Sequence, residues 1–143
     1  MLSLNTERRS NINNLNVALS STDGEMHVID PGEGAWGFRT SNCSDNSEIN
    51  AVEKVRSISM ETLINSVRDN ISPFIAKIDI EGGEDDLFSQ NIGWVDNFPL
   101  LIVELHDWLL PGQAKSTNFL HCVATLKRDF VYIGENVFSI KNR

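Results

Sequence analysis

Asp79, Glu81, Glu104 and His106 are the side chains of this sequence whose types and spacing can do chemistry together. The first two lie in Lys77-Ile78-Asp79-Ile80-Glu81-Gly82-Gly83-Glu84, where an apolar run stops in acids and two glycines. The other two close a second run, Leu100-Leu101-Ile102-Val103-Glu104-Leu105-His106. Side chains alternate along a strand, so Lys77, Asp79 and Glu81 share one face, as do Ile102, Glu104 and His106. If the two strands are neighbours in register, the three acids and the imidazole meet in one crevice. Crowded carboxylates favour a general base usable near neutral pH, and an imidazole can play the same part. Oxygen ligands with one imidazole can also hold a divalent metal. No zinc-type ligand spacing exists, and no nucleophile elbow supports a serine or cysteine site.

Each of these residues also has a plainer reading. Glu84, Asp85 and Asp86 suit the first turn of a helix through its macrodipole alone. Gly82-Gly83 is neither a GxGxxG nor a Walker loop, and a tight strand-to-helix turn explains it. Glu104 can be the ion-pair partner of Lys77, and a histidine at a strand end is often structural. Lys77 and Asp79 break the apolar character expected of a strand covered on both faces, so a charge pair inside the sheet layer is one structural account.

The elements that must position the cluster are two strands, at 74–80 and 100–105, joined by a helix across roughly 84–93. That order reads as a βαβ unit with parallel strands. In open parallel sheets ligands sit beyond the carboxyl ends of the strands, where both acidic clusters fall. Upstream, residues 1–14 read as the tail of a helix. Leu15–Leu19 and Glu25–Asp30 read as strands around an Asp23-Gly24 hairpin turn. Residues 31–50 read as a long loop carrying Trp36 and Phe38, and 51–58 as a strand. Ser59 is placed to cap a short helix at 60–67, with Glu61 in its first turn. Downstream, Lys115–Arg128 reads as a helix with Phe119, Leu120, Val123 and Leu126 on one stripe. Phe130–Ile133 and Val137–Ile140 read as a closing hairpin. His27 is expected to be solvated. His121 and Cys122 are expected to pack, and Trp94 and Trp108 to serve as core or packing lids.

The chain has 143 residues, 41% hydrophobic and 22% charged, enough for one domain spanning 1–143 with a real core. Its formal charge of −8, from 12 Lys+Arg against 20 Asp+Glu, argues against nucleic acid and against an anionic membrane surface. No apolar run approaches the ~18 residues needed to span a bilayer, and the amino terminus has no signal-peptide core. Cys43 and Cys122 lie in no CxxC and read as free thiols of a reducing compartment, so a cytoplasmic location is expected.

The stretch from Lys77 to Glu84 resembles the Lys-x-Asp-x-Glu-Gly-x-Glu signature of the FkbM-type methyltransferases, which use S-adenosylmethionine. Other segments agree in order. Asn16-Val17-Ala18-Leu19-Ser20 with Asp23-Gly24-Glu25 is similar to the family's Ala-Leu-Ser and Asp-Gly-Glu segment. Val55–Leu63 resembles the strand and helix start before the signature, and Glu104-Leu105-His106 the Glu-x-His after it. The matches run from about residue 13 to residue 106. The resemblance implies an α/β fold of the class I methyltransferase (Rossmann-like) type, its sheet mostly parallel with a C-terminal antiparallel hairpin. It implies methyl transfer from S-adenosylmethionine, typically to an oxygen, the acceptor being a small molecule or carbohydrate. Asp79 would then lie near the methyl end of the cofactor and the acceptor. Glu81, Glu104 and His106 would line the acceptor side with one as base, and Ala18 would sit near the adenine. Glu84 would cap the helix.

One feature of that fold is missing. It begins with a strand, a Gly-rich loop that approaches the cofactor closely, and a second strand ending in an acid. Nothing upstream of Asn5 supplies these, so the chain reads as an N-terminally truncated, partial domain with weak cofactor binding. A non-catalytic remnant or interaction module of the same family is the alternative. A metal-dependent hydrolase using the acidic cluster is a third reading, disfavoured because only His106 is placed to join the acids.

Overall fold

The computed structural model describes residues 2–30, 32, 38–41, 51–67, 71–109 and 111–142. The elements run α1 (Leu2–Thr6), β1 (Ala18–Ser20), β2 (Gly24–Ile29), β3 (Arg39–Ser41), β4 (Ala51–Ser59), α2 (Met60–Ser66), β5 (Ile75–Ile78) and α3 (Glu84–Leu87). A 3₁₀ helix at Ile92–Asn97, β6 (Leu100–Glu104), α4 (Thr117–Thr125), β7 (Asp129–Ile133) and β8 (Asn136–Ile140) complete them. Trp36, Cys43 and most of the expected 31–50 loop lie outside the described residues. Within that stretch Arg39–Ser41 forms a strand paired with β2.

The strands form two four-stranded sheets, ordered β1-β4-β2-β3 and β5-β6-β8-β7. The class is α/β, but the expected mostly parallel sheet does not form. Among the described residues β1 with β4 and β5 with β6 run parallel, and the other four pairings are antiparallel. The reason lies in the connections. A parallel pair needs a crossover of a dozen or more residues. The segment from β5 to β6 supplies one, whereas β7 and β8 are joined by the two-residue turn Gly134-Glu135. The long link from β4 through α2 carries the chain to the other sheet instead of adding a parallel strand.

The Asp23-Gly24 hairpin is also corrected, because β4 inserts between β1 and β2. Asp23 has other work. Its Oδ1 accepts from the Ser59 backbone N–H at 2.6 Å and its Oδ2 from the Thr62 hydroxyl at 2.8 Å. Ser59 caps α2 as the sequence indicates, its Oγ accepting from Thr62 N–H at 3.2 Å. The bond from the Ser59 N–H, with help from Thr62, holds the Asp23 carboxyl below its ordinary value of 3.8. A carboxyl with a depressed folded-state value stabilises the fold above its ordinary value, and that contribution fades as pH falls. Asp23→Ala is therefore expected to lower the melting temperature at pH 7. The gap from wild type should shrink towards about pH 3, as followed by circular dichroism. An equal gap at both pH values would contradict this role.

The helix expected across 84–93 is split. α3 ends at Leu87, and Asn91 takes the left-handed conformation (φ 54°) before the 3₁₀ helix begins. Asparagine tolerates that region better than most residues, so it breaks the helix where the apolar pattern continues. α4 runs from Thr117 to Thr125, and at its carboxyl end Lys127 has φ of 51°, which ends the helix short of Arg128. The helix tail expected over residues 1–14 reduces to α1.

The core gathers on one face of the second sheet. Ala76 and Ile78 of β5, Leu101 and Val103 of β6 and Val137 of β8 meet Leu87, Phe119, Cys122 and Val123, with Met60 and Ile64 of α2. Phe88 stands edge-on to Phe119 at 5.0 Å between ring centroids and packs on Trp94 at 5.4 Å. Burial pushes the Cys122 thiol up from its ordinary value. Of the expected α4 stripe, Phe119 and Val123 are buried, Leu126 packs at the edge and Leu120 is exposed. At the far end of the sheet, buried Arg128 donates to Ser139 Oγ at 3.0 Å and to the carbonyls of Phe98 and Ser139 at 3.0 and 3.1 Å. Desolvation lowers its pKa from the ordinary value.

β5 alternates exposed and buried from Ile75 to Ile78. Only one of its faces is covered, so Lys77 is not buried within the sheet layer; it stands 43% exposed on the open face. No helix among the described residues is long and apolar enough to cross a membrane.

Candidate functional site

The parallel pair β5–β6 aligns Lys77 with Ile102 and Ile78 with Val103. Both strands therefore end together, and the residues just past them, Asp79 to Glu81 and Leu105 to His106, share one sheet edge. The chain then reverses sharply. Gly83 N–H donates to Ile80 O at 3.1 Å, while Glu81 and Gly82 take φ of 51° and 93°. Two consecutive positive φ values define a tight mirror-image turn, which Gly82 adopts freely and Glu81 only at a cost of about 1 kcal/mol. A Cβ on Gly83 would meet the Ile80 carbonyl oxygen at 3.3 Å. The two glycines thus serve the turn, as the plainer reading held.

The centre of the site is His106, whose side chain is 1% exposed. Its Nδ1 lies 2.9 Å from Oε1 of Glu84, itself 1% exposed. Its Nε2 faces three carboxylates: Glu81 Oε2 at 3.4 Å, Asp79 Oδ1 at 3.8 Å and Glu104 Oε1 at 3.8 Å. Lys77 Nζ bridges the remaining oxygens, at 3.3 Å from Asp79 Oδ2 and 3.4 Å from Glu104 Oε2. Asp79 and Glu104 thus turn one oxygen outward to the lysine and one inward to the imidazole. All four residues expected to cluster do so, and Glu104 is also the partner of Lys77. Asp79, Glu104 and His106 can each offer one metal-ligand atom, the three atoms lying within 4.8 Å of one another.

Glu84 is more than a helix cap. A carboxylate takes the Nδ1–H of the ring, fixing both its tautomer and its orientation, which leaves Nε2 to accept a proton or another cation. The same Oε1 accepts the Ile80 backbone N–H at 3.2 Å. Its neighbours also have specific partners. Asp85 Oδ1 accepts from Asn118 Nδ2 at 2.7 Å. Asp86 accepts from the hydroxyls of Ser20 and Ser21 at 2.8 and 3.1 Å, and from Ser21 N–H at 3.0 Å. That last set ties the end of β1, which carries half-buried Ala18, to the start of α3, so the Ala18 strand is anchored one helical turn from the cluster.

Trp108 belongs to the site as well. Its ring lies 6.2 Å from that of His106 and is 69% exposed, an apolar platform beside the cluster and not a core residue. Trp94 is in the core. His27 is half-buried, and His121 is exposed on α4. Two clefts among the described residues lie elsewhere. One of about 180 Å³ is lined by Ser20 to Asp23, Ser59 and Glu61. One of about 270 Å³ is lined by Glu61, Ile64, Asn65 and Trp94. Both are smaller than the ~300 Å³ at which drug-sized ligand pockets begin, and neither includes a residue of the His106 cluster.

No family model matches the chain, and no match is found among curated proteins or among solved structures.

Proposed function

We propose that the chain carries the acceptor side of an S-adenosylmethionine-dependent methyltransferase site acting on a hydroxyl of a small molecule or sugar. The observation that carries this reading is the placement of Asp79, Glu81, Glu104 and His106 together at the carboxyl ends of the parallel pair. The resemblance of Lys77–Glu84 and Glu104–His106 to the FkbM-type signature supplies the reaction.

S-adenosylmethionine carries its methyl group on a sulfonium, a cation, and the charge of the cluster suits such a group. The nucleoside end fits less well. The clefts beside Ser20 to Asp23 and beside Trp94 do not include Asp79, and the Gly82-Gly83 turn next to it serves the chain reversal. Ala18, the residue expected near the adenine, lies on the strand whose end is tied to α3 through the Ser20 and Ser21 bonds to Asp86. The roles of the chain's own residues follow from geometry. His106 Nε2, its ring held by Glu84, is placed to take a hydroxyl proton. Glu81, Glu104 and Asp79 surround the resulting positive ring. Trp108 offers a face on which a sugar or aromatic acceptor can stack.

Incubation with methyl-labelled S-adenosylmethionine and a panel of sugar and phenolic hydroxyl acceptors tests the reading. Transfer to at least one acceptor is expected, reduced about 100-fold or more in His106→Ala if the ring is the base. Label incorporated equally by wild type and His106→Ala would remove the imidazole from the chemistry. A second reading, an interaction module, is favoured by edge strand β7, where Phe130, Val131, Tyr132 and Ile133 are all exposed.

A further inference from the structure

The structure assigns a divalent-cation site to Asp79, Glu104 and His106, in which Nε2 would hold the ion in place of a substrate proton. Crowded acids alone would not carry this, because exposed carboxylates are common without a metal. The second observation is buried. The Glu84 side chain, 1% exposed, reaches into the cluster through Oε1, and its Oε2 is buried with no hydrogen-bond partner among the described residues. A buried carboxylate is costly unless a cation compensates it, directly or through the group it holds. The group it holds is His106, equally buried, whose Nε2 is turned towards three carboxylate oxygens at 3.4 to 3.8 Å. These separations exceed the 2.7–3.2 Å of an ordinary N–H···O bond. A cation seated among these oxygens would offset the buried negative charge.

A metal ion resolves the arrangement. Two ligands of one ion, each at about 2.1 Å, stand at most about 4.2 Å apart. The inward oxygens of Asp79 and Glu104 are each 3.8 Å from Nε2, inside that limit. Glu84 then acts as the carboxylate behind a metal-bound histidine, the usual outer partner of such ligands. Lys77 keeps the outer oxygens, so the inner ones face Nε2, the three ligand atoms lying within 4.8 Å of one another. Glu81, nearest of the three acids, can complete or screen the site. One imidazole with two carboxylates and water suits Mn²⁺ and related first-row ions better than the all-oxygen set preferred by Ca²⁺.

Titration of the folded chain with Mn²⁺, followed by the electron paramagnetic resonance signal of the free ion, tests the site. One ion per chain is expected, with affinity at least 10-fold weaker in Asp79→Asn and in Glu104→Gln. Both residues are partly exposed, and circular dichroism checks that the variants fold. A parallel proton NMR titration reads the same site in the wild type. Mn²⁺ should broaden the His106 ring resonances first, with His27 and His121 as internal references. Folded protein that leaves millimolar Mn²⁺ free would overturn the proposal. So would binding unchanged in both variants, or broadening equal across the three histidines, since either would place the ion on the acidic surface at large.

Discussion

Replacing Glu84 by alanine is expected to destabilise the protein by about 3 kcal/mol or more, a drop of roughly 10 °C in melting temperature. The substitution strands two partners at once, the buried Nδ1 of His106 and the half-buried backbone N–H of Ile80. Removing one member of a buried polar pair exposes the other to the full desolvation penalty, which is why the effect is large. An acid that serves only the dipole of a helix's first turn would cost about 0.3–1 kcal/mol on removal. Thermal melting of Glu84→Ala beside Asp85→Ala separates the two roles, and Glu84→Gln, which keeps an acceptor of the same length, should recover part of the loss. A change under about 1 kcal/mol in Glu84→Ala would mean that the imidazole is not held from this side.

Phe119→Ala should cost about 3–5 kcal/mol by leaving a cavity. Phe119 is 0% exposed and closes the aromatic group of Phe88 and Trp94 under the sheet. Helix α4 spans nine residues, too few to be stable through propensity alone, so its place depends on this contact and on Cys122 and Val123. Since small domains hold about 5–15 kcal/mol in total, the variant is expected to be largely unfolded near 50 °C. Phe119→Leu should cost roughly half as much or less. Chemical denaturation gives both values; equal midpoints for wild type and Phe119→Ala would show that α4 is not part of the cooperative unit.

Most strand positions are legible because an apolar run is local, although β3 falls inside the expected 31–50 loop. The runs ending at Ile78 and Glu104 predicted both strands, their parallel pairing and the meeting of Asp79, Glu81, Glu104 and His106. Ser59 predicted the start of α2. What was not legible depended on contacts distant in sequence. Glu84 looked like any first-turn acid, and only the fold brings it to His106. Asp23 looked like a hairpin residue, and only the insertion of β4 gives it Ser59 and Thr62 as partners. Asn91 ended a helix that the apolar pattern would have continued. The mostly parallel sheet failed for a related reason: a βαβ pattern read from one crossover says nothing about how the remaining strands are connected. A charge pair inside the sheet layer is one account of Lys77 because a parallel strand usually has two covered faces, whereas β5 has one and Lys77 pairs with Glu104 on the open side.

Calorimetric titration with S-adenosylhomocysteine, on the wild-type chain and on Asp79→Ala, tests the methyltransferase reading most directly. Binding weaker than about 10 μM is expected, because the described residues offer little to the nucleoside, and it should be lost in Asp79→Ala. Absence of heat in the folded wild-type chain at millimolar ligand, or the same affinity in Asp79→Ala, would contradict a cofactor site at this cluster.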